Sequence, residues 1–332
     1  MRVLVTGGAG YIGSHAVRAL QRAGHEVSIL DNLFRGHAES APVGVPLHVL
    51  DIRSTAAVQK VLSEGGIECV MHFAALAYVG ESVRQPLDYY DNNTAGTASL
   101  LRAMLAAGVH RMVFSSTCAT YGEPSSMPIV ETMPQSPINP YGWSKLFVER
   151  MLRDVATAEP AFSFAAPRYF NVAGCALDGS VGEHHEPETH LIPVILQAAL
   201  GQREKVTVFG DDYPTPDGTC IRDYVHVDDL VDAHIVAMEA LTPGAQHFLN
   251  LGIGRGLSVK AIIDTARSVT GRPFTVEVGP RRPGDPPELY ANPEKIRREL
   301  GWQAKITDVR DIVASAWAWM SAHPEGYGKA RT

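Results

Sequence analysis

The sequence predicts an α/β protein: a doubly wound parallel sheet, with a smaller mixed α/β unit toward the carboxyl end. Three observations predict it. The chain opens as strand, glycine turn, helix, strand and acid; strands and helices then alternate to residue 168; beyond that point proline and glycine thicken and the alternation breaks.

Arg2 to Thr6 is a short β-branched run that stops at Gly7-Gly8-Ala9-Gly10-Tyr11-Ile12-Gly13. Apolar residues at helical spacing follow (Ile12, Ala16, Ala19, Leu20, Ala23) and end at Gly24. A second apolar run, 26–30, is closed by Asp31-Asn32. Glycines let a backbone approach a pyrophosphate whose charge faces a helix N-terminus, and an acid at the end of the second strand suits ribose hydroxyls. The arrangement points to a bound dinucleotide. Asp31 favours NAD over NADP, because a carboxylate disfavours a 2′-phosphate; Arg35 is the nearby cation that weighs the other way.

Further strands are expected at 47–50, 69–73, 112–115 and 163–166, with helices near 55–62, 92–107 and 141–155. Pro167 cannot donate to a ladder and is expected to end the last of these strands. Ligands of an open parallel sheet collect at the carboxyl ends of its strands. Those ends carry Gly7, Asp31, Asp51, Phe73-Ala74-Ala75 and Ser115-Ser116-Thr117, so glycine turn, acid and hydroxyls are expected on one edge. After residue 168, loops are expected at 173–188, 210–219 and 279–287, and regular segments at 191–200, 227–240, 248–251, 259–269 and 309–320. The expected division is 1–168, rejoined by about 227–252, as the nucleotide unit, and 169–226 with 253–332 as the second unit.

Composition excludes several classes. With 45% hydrophobic and 20% charged residues, the 332-residue chain can bury a full core and is not a disordered one. Its net charge of −7, with no basic block, argues against nucleic acid, so an anionic substrate must meet a few local cations. Cys69, Cys118, Cys175 and Cys220 form no CxxC pair, which fits a reducing compartment better than a disulfide framework. The apolar start is too short for a signal-peptide core and no apolar run reaches membrane-spanning length, so the expected location is cytoplasmic.

The chemistry centres on Tyr141-Gly-Trp-Ser-Lys145. Pro140 sits where a helix can begin without losing a hydrogen bond, and Tyr141, Lys145 and Glu149 then recur on one face. Free tyrosine ionises near pH ~10, so a base role at neutral pH needs about 4 kcal/mol of help. A cation one turn away supplies help of that sign.

Together these motifs resemble the extended short-chain dehydrogenase/reductase family, and within it the enzymes that invert C4 of UDP-sugars. The matching text runs nearly end to end: Thr6-Gly-Gly-Ala-Gly-Tyr-Ile-Gly-Ser14, His72-Phe-Ala-Ala75, Val79-Gly-Glu-Ser82, Tyr89-Tyr-Asp-Asn-Asn93, Phe114-Ser-Ser-Thr117, Arg168-Tyr-Phe-Asn171, Thr189-His-Leu-Ile-Pro193, Phe209-Gly-Asp-Asp-Tyr213, Arg222-Asp-Tyr-Val-His226, Asn250-Leu-Gly252 and Arg281-Arg-Pro-Gly-Asp285. The resemblance implies a Rossmann-type fold and 4-epimerisation of a UDP-hexose with NAD kept bound. It implies that Tyr141 removes the 4-hydroxyl proton while hydride passes from C4 to NAD and back, that Lys145 lowers the phenol pKa and holds the nicotinamide ribose, and that the Thr117 hydroxyl orders the proton transfer. Gly7, Gly10, Tyr11, Ile12, Gly13, Asp31, Asn32, Asp51, Ile52, Phe73, Ala74, Ala75, Asn92, Ser115 and Phe170 would join Tyr141 and Lys145 around the cofactor. Asn171, His190, Leu191, Phe209, Arg222, Arg282, Asp285 and Leu289 would join Thr117 and Tyr141 around the substrate. A homodimer through the helices near 92–107 and 141–155 is implied as well.

The sequence also departs from the family pattern. Ala77-Tyr78 stand where some members carry a lysine. Leu289 stands where a large tyrosine or a small cysteine separates strict from N-acetyl-tolerant enzymes, which leaves UDP-GlcNAc open beside UDP-arabinose and UDP-glucuronate. Dehydratases of this family carry Asp-Glu after the catalytic Thr; here Cys118-Ala119 follow, and neither moves a proton. A non-catalytic NAD sensor would commonly lack the Tyr or the Lys. No metal site is expected at Glu183-His184-His185-Glu186-Pro187-Glu188-Thr189-His190, because Pro187 blocks a helix and the HExxH spacing is absent; a solvated loop with His190 near substrate is expected instead.

Overall fold

The computed structural model describes residues 1–282 and 285–328. Its first half runs β1 (Arg2–Thr6), α1 (Tyr11–Arg22), β2 (Glu26–Asp31), β3 (Leu47–Val49), α2 (Thr55–Glu64), β4 (Cys69–His72), α3 (Val79–Arg84), α4 (Pro86–Tyr89), a π-helical turn (Tyr90–Ala95), α5 (Gly96–Ala106), β5 (Arg111–Phe114), β6 (Ser116–Thr117), α6 (Pro140–Ala158) and β7 (Ser163–Tyr169). The second half adds β8 (Asn171–Ala173), α7 (Leu191–Ala199), β9 (Lys205–Phe209), β10 (Ile221–Arg222), β11 (Tyr224–His226), α8 (Val227–Glu239), β12 (Gln246–Leu251), β13 (Leu257–Ser258), α9 (Val259–Thr270), β14 (Thr275–Gly279), β15 (Glu288–Leu289), α10 (Glu294–Leu300) and α11 (Val309–Ala322).

The main sheet is parallel throughout, ordered β12-β7-β5-β4-β1-β2-β3, with β6 paired to β7 beyond the end of β5. Alternate residues of each strand feed opposite cores. Val3, Val5, Ile29 and Met71 pack with Val17 and Leu20 of α1 and Leu230 and Val231 of α8. Leu4, Leu30, Val70 and Met112 pack with helices α2, α5 and α6 through Val58, Leu100, Met104, Val148 and Leu152. A third core joins α7, α9, α11 and β9 through Ile195, Val206, Ile262, Ile312 and Trp319. Among the described residues no helix is long and apolar enough to cross a membrane.

Register fixes where the loops meet. Thr6 pairs with Leu30 and His72, and His72 with Phe114. The residues that follow, Gly7, Asp31, Phe73 and Ser115, therefore form one line across the sheet, the edge where ligands of such sheets bind.

Two sequence expectations are corrected. β7 does not stop at Pro167 but runs on to Tyr169, with Pro167 opposite Leu249 of β12. The neighbouring strand is interrupted between Phe114 and Ser116, so the donor that proline lacks is not demanded on that side. The helix expected at 92–107 instead enters through the π-turn and becomes α-helical only at Gly96.

Candidate active site

The glycine turn is forced by close approach. Gly7 has φ +72°, and a Cβ there would lie 2.5 Å from the Ala74 nitrogen. At Gly13 a Cβ would fall on the Gly7 carbonyl, so α1 could not sit this close to the turn. Beside Gly10 the nearest such contact is 3.3 Å away, which leaves the cradle open there. Gly10 also begins α1 without a side-chain cap, so no capping side chain occupies the first N–H groups of the helix, at Tyr11, Ile12 and Gly13, an end suited to an anion.

Asp31 lies beside this turn, nearly buried. Its carboxylate accepts from the backbone N–H of Ala9 (3.0 Å) and of Leu33 (2.8 Å), which stands at φ +58°. Burial pushes the Asp31 carboxyl up, and those two bonds pull it back. Asn32 donates to Asp51 at 3.2 Å, and hydrogen bonds from the Arg53 guanidinium hold the Asp51 carboxyl down at about 2. Arg35 does not compete for this edge: it donates to Glu81 at 2.7 Å and lies 4.2 Å over the Tyr78 ring. With that cation committed elsewhere, the acid decides for NAD. Ile52 is buried under Gly96, and Asn92 lies in the π-turn, donating to Asn93 at 2.9 Å. Glycine cradle, bare helix end and terminal acid all fit a dinucleotide.

Tyr141 and Lys145 lie one turn apart on α6, whose first turn is fixed by Pro140 and by Asn139, the side chain of which accepts from the Gly142 N–H at 2.8 Å. The Tyr141 ring meets Tyr89 edge to face at 6.4 Å and keeps part of its surface open. Lys145 is 3% exposed; its ammonium donates to the Ser115 carbonyl at 2.7 Å and stands 4.8 Å from the centre of the Phe114 ring. The Ser115 hydroxyl in turn bonds Tyr169. Burial brings the Lys145 ammonium down to about 7.

Here the expected electrostatics are corrected. Desolvation pushes the Tyr141 phenol well above its ordinary value, the neighbouring Tyr169 adds to that, and a hydrogen bond with Thr117 opposes it. Lys145 is not among the groups that offset this while the phenol is neutral; its ammonium donates to the Ser115 carbonyl. The phenol is thus poised neutral until a further positive charge enters the pocket.

One turn further along α6 lies a group the sequence reading left without a role. Glu149, 1% exposed, accepts from Arg168 at 2.8 and 2.6 Å, from Ser116 at 2.6 Å and from Gln135 at 2.9 Å. The pair bolts α6 to β7 directly beneath the Tyr/Lys face; its signals were the i, i+4 spacing from Lys145 and the Arg168 that opens a family motif. Asn93 was likewise unassigned: it donates to Ser144 at 3.0 Å and receives the Leu76 N–H at 2.8 Å, tying the π-turn to α6.

The remaining residues gather from the second half of the chain. Asn171 in β8 donates to the Asp223 carbonyl at 3.3 Å, and Phe170 is buried against Tyr121 and Ala291. Arg222 pairs with Asp285 and, through β10, stands beside Leu289 of β15. Arg282 lies 3.8 Å over the ring of Phe209. Burial drives the Cys118 thiol, next to Thr117, up to about 12, and the positive charge of Arg222 opposes it. Pro283 and Gly284 of the Arg281–Asp285 motif lie outside the described residues.

His190 caps α7, Leu191 is its first residue, and the loop before them departs from expectation. It is only partly solvated: Glu186, Pro187 and Thr189 are exposed, but Glu183 and Glu188 are each 6% exposed and converge with His185 and His190. Burial favours the neutral imidazoles, but the two glutamates outweigh it, holding His185 at about 9 and His190 up in the same sense although one edge of His190 stays open to solvent. Both rings meet Tyr78 edge-on, and His185 also meets Tyr11. The loop itself brings the four together, so the absence of a helix did not keep them apart.

The fold and site define a class. The NAD dependent epimerase/dehydratase family matches residues 3–252, and the chain belongs to that family. Within it, the chain is 50% identical over 328 residues to the UDP-glucose 4-epimerase of Halalkalibacterium halodurans, with 98% of each chain covered. It superposes with a TM-score of 0.94 on the UDP-glucose 4-epimerase of Bifidobacterium longum in complex with NAD+ and UDP, at 38% identity over 98% of this chain and 100% of that one. The enzyme of that name from Stenotrophomonas maltophila, with bound NAD and formylated UDP-arabinopyranose, gives 0.94 at 40% identity over 98% and 99% of the two chains.

Proposed function

We propose that this chain is an isomerase that interconverts UDP-galactose and UDP-glucose by inverting the sugar C4, with NAD as its resident cofactor. The observation that carries the reading is the meeting of Tyr141, Lys145 and Thr117 at the same sheet edge as the Gly7–Gly13 cradle and Asp31. When bound, NAD supplies the acceptor for the hydrogen at C4 and a positive charge in the pocket.

The chain's own residues do the rest. The N-terminus of α1 and the cradle hold the pyrophosphate, and Asp31 takes ribose hydroxyls. Tyr141, as the phenolate, accepts the proton from the sugar 4-hydroxyl and returns it after the keto sugar has turned over, with the Thr117 hydroxyl bridging phenol and sugar oxygen. Lys145 anchors Ser115 and steadies the phenolate once formed. Arg222 and Arg282 meet the diphosphate, with Asn171, His190, Leu191, Phe209, Asp285 and Leu289 around the UDP-sugar. Dehydration is disfavoured because Cys118, whose thiol burial holds near 12, and Ala119 offer no acid for departing water.

Incubation with UDP-galactose, without added NAD, yields UDP-glucose on this reading; UDP-GlcNAc and UDP-arabinose run in parallel rank the sugars. Tyr141→Phe folds and retains NAD while its turnover falls about 100- to 10,000-fold. Wild-type turnover in that variant overturns the assignment.

The reading extends to assembly and location. Val83 (62% exposed), Leu87 (77%) and Phe147 (42%) make an apolar face on α3, α4 and α6, where Phe147 also meets Trp143 and Tyr90. A second copy covering that face gives a homodimer. The four free cysteines fit a reducing, cytoplasmic setting. Residues 1–168 with 227–252 form the nucleotide unit, and 169–226 with 253–332 the sugar unit.

A further inference from the structure

The sequence of the loop before α7 gives no standard metal signature, yet its geometry has one. Nδ1 of His185 lies 3.3 Å from a carboxylate oxygen of Glu183 and 3.3 Å from one of Glu188. Nδ1 of His190 lies 3.1 Å from the same Glu183 oxygen and 2.9 Å from Glu188. One donor atom from each of the four residues falls within 4.8 Å of the other three. Ligand atoms about 2.0–2.1 Å from a shared tetrahedral centre stand roughly 3.3 Å apart. Each imidazole thus stands about one such edge from both carboxylates, His185 from Oε2 and His190 from Oε1 of Glu188, and the four donors together span no more than 4.8 Å.

A second observation points the same way. Glu183, with its side chain 4% exposed, turns Oε1 into the cluster, and that oxygen has no hydrogen-bond partner although both imidazoles are close. It lies 3.3 and 3.1 Å from the two Nδ1 atoms, beside both rings, with a hydrogen bond to neither. A cation needs no hydrogen-bond alignment. It also balances the charge, since one divalent ion with two neutral imidazoles cancels two carboxylates as well as two protons do. Glu188 is already set as a ligand would be, its Oε1 held by the N–H groups of Thr189 (2.7 Å) and His190 (2.8 Å).

We propose that Glu183, His185, Glu188 and His190 form a binding site for a divalent cation of the zinc class, in which two nitrogen and two oxygen donors close a tetrahedron. The ion fastens the loop to the start of α7 and against Tyr11 and Tyr78, and so sets where His190 and Leu191 stand. The ion takes no part in the proton and hydride steps assigned above.

The test uses tag-free, NAD-loaded protein, treated with chelator, dialysed and titrated with Zn2+ and separately with Co2+. The expected result is one ion per chain, with the intense visible bands of tetrahedral Co2+. Glu183→Gln and His185→Gln are each expected to weaken uptake by at least about 100-fold, more than loss of an outer partner would. Circular dichroism and NAD retention report folding, and the second variant carries the test if the first misfolds. Absence of stoichiometric uptake by the folded wild type, or uptake unchanged in both variants, overturns the proposal.

Discussion

At the scale of single residues, two buried cations define how α6 works. Lys145 has a folded-state pKa near 7 against an ordinary 10.5. Between those values the unfolded chain holds the proton and the folded chain does not, so this group makes stability rise as pH climbs from about 7 toward about 10; below 7 both states are protonated and the slope vanishes. Denaturant midpoints of NAD-stripped protein at pH 7 and pH 9 are expected to show that rise, and Lys145→Met is expected to flatten it. Arg168 behaves differently, because Glu149 matches it with two bonds at 2.6 and 2.8 Å. Glu149→Ala leaves a buried guanidinium unpaired and is expected to lower stability by about 3–5 kcal/mol in equilibrium unfolding. The Tyr141–Lys145 spacing was legible in sequence, but the hydrogen bond that diverts Lys145 to Ser115 was not: it depends on how β5 meets α6.

At the scale of elements, the glycine turn and the strand ends were legible because each has a local cause. Gly7 needs a positive φ and Gly13 needs the absence of a Cβ, and both needs are written as glycine. Gly13→Ala is therefore expected to push α1 off the turn, lowering stability by about 1–3 kcal/mol and abolishing NAD retention. Gly10→Ala meets nothing nearer than 3.3 Å and is expected to fold normally while binding NAD more weakly, since the added methyl fills the open cradle. Thermal melts with and without NAD separate the two. The errors also have local shapes. Pro167 misled because a rule about one strand overlooked a gap in its neighbour. At 183–190 the grouping was not legible, because an irregular loop, and not a helix, brings two glutamates and two histidines together.

At the scale of the whole molecule, the alternation to residue 168 foretold a parallel sheet, and the register of that sheet assembles the cofactor edge. How the second half closes over this edge was less legible, since β8, β10, β11 and β15 are strands of two or three residues with no periodicity to read. The proposed dimer face carries its own test: Phe147→Glu with Leu87→Glu is expected to give a monomer in sedimentation or light scattering, while wild type runs as a dimer. The sheet is also completed out of order. β12, residues 246–251, is the last strand to join and lies outside β7. On the ribosome, β7 is therefore finished long before its outer neighbour exists, and a nascent chain spends that interval with a seven-residue strand uncovered. The proline and arginine at 167 and 168 lie in that strand, and they are the two kinds of residue that discourage a stranger from adding itself there.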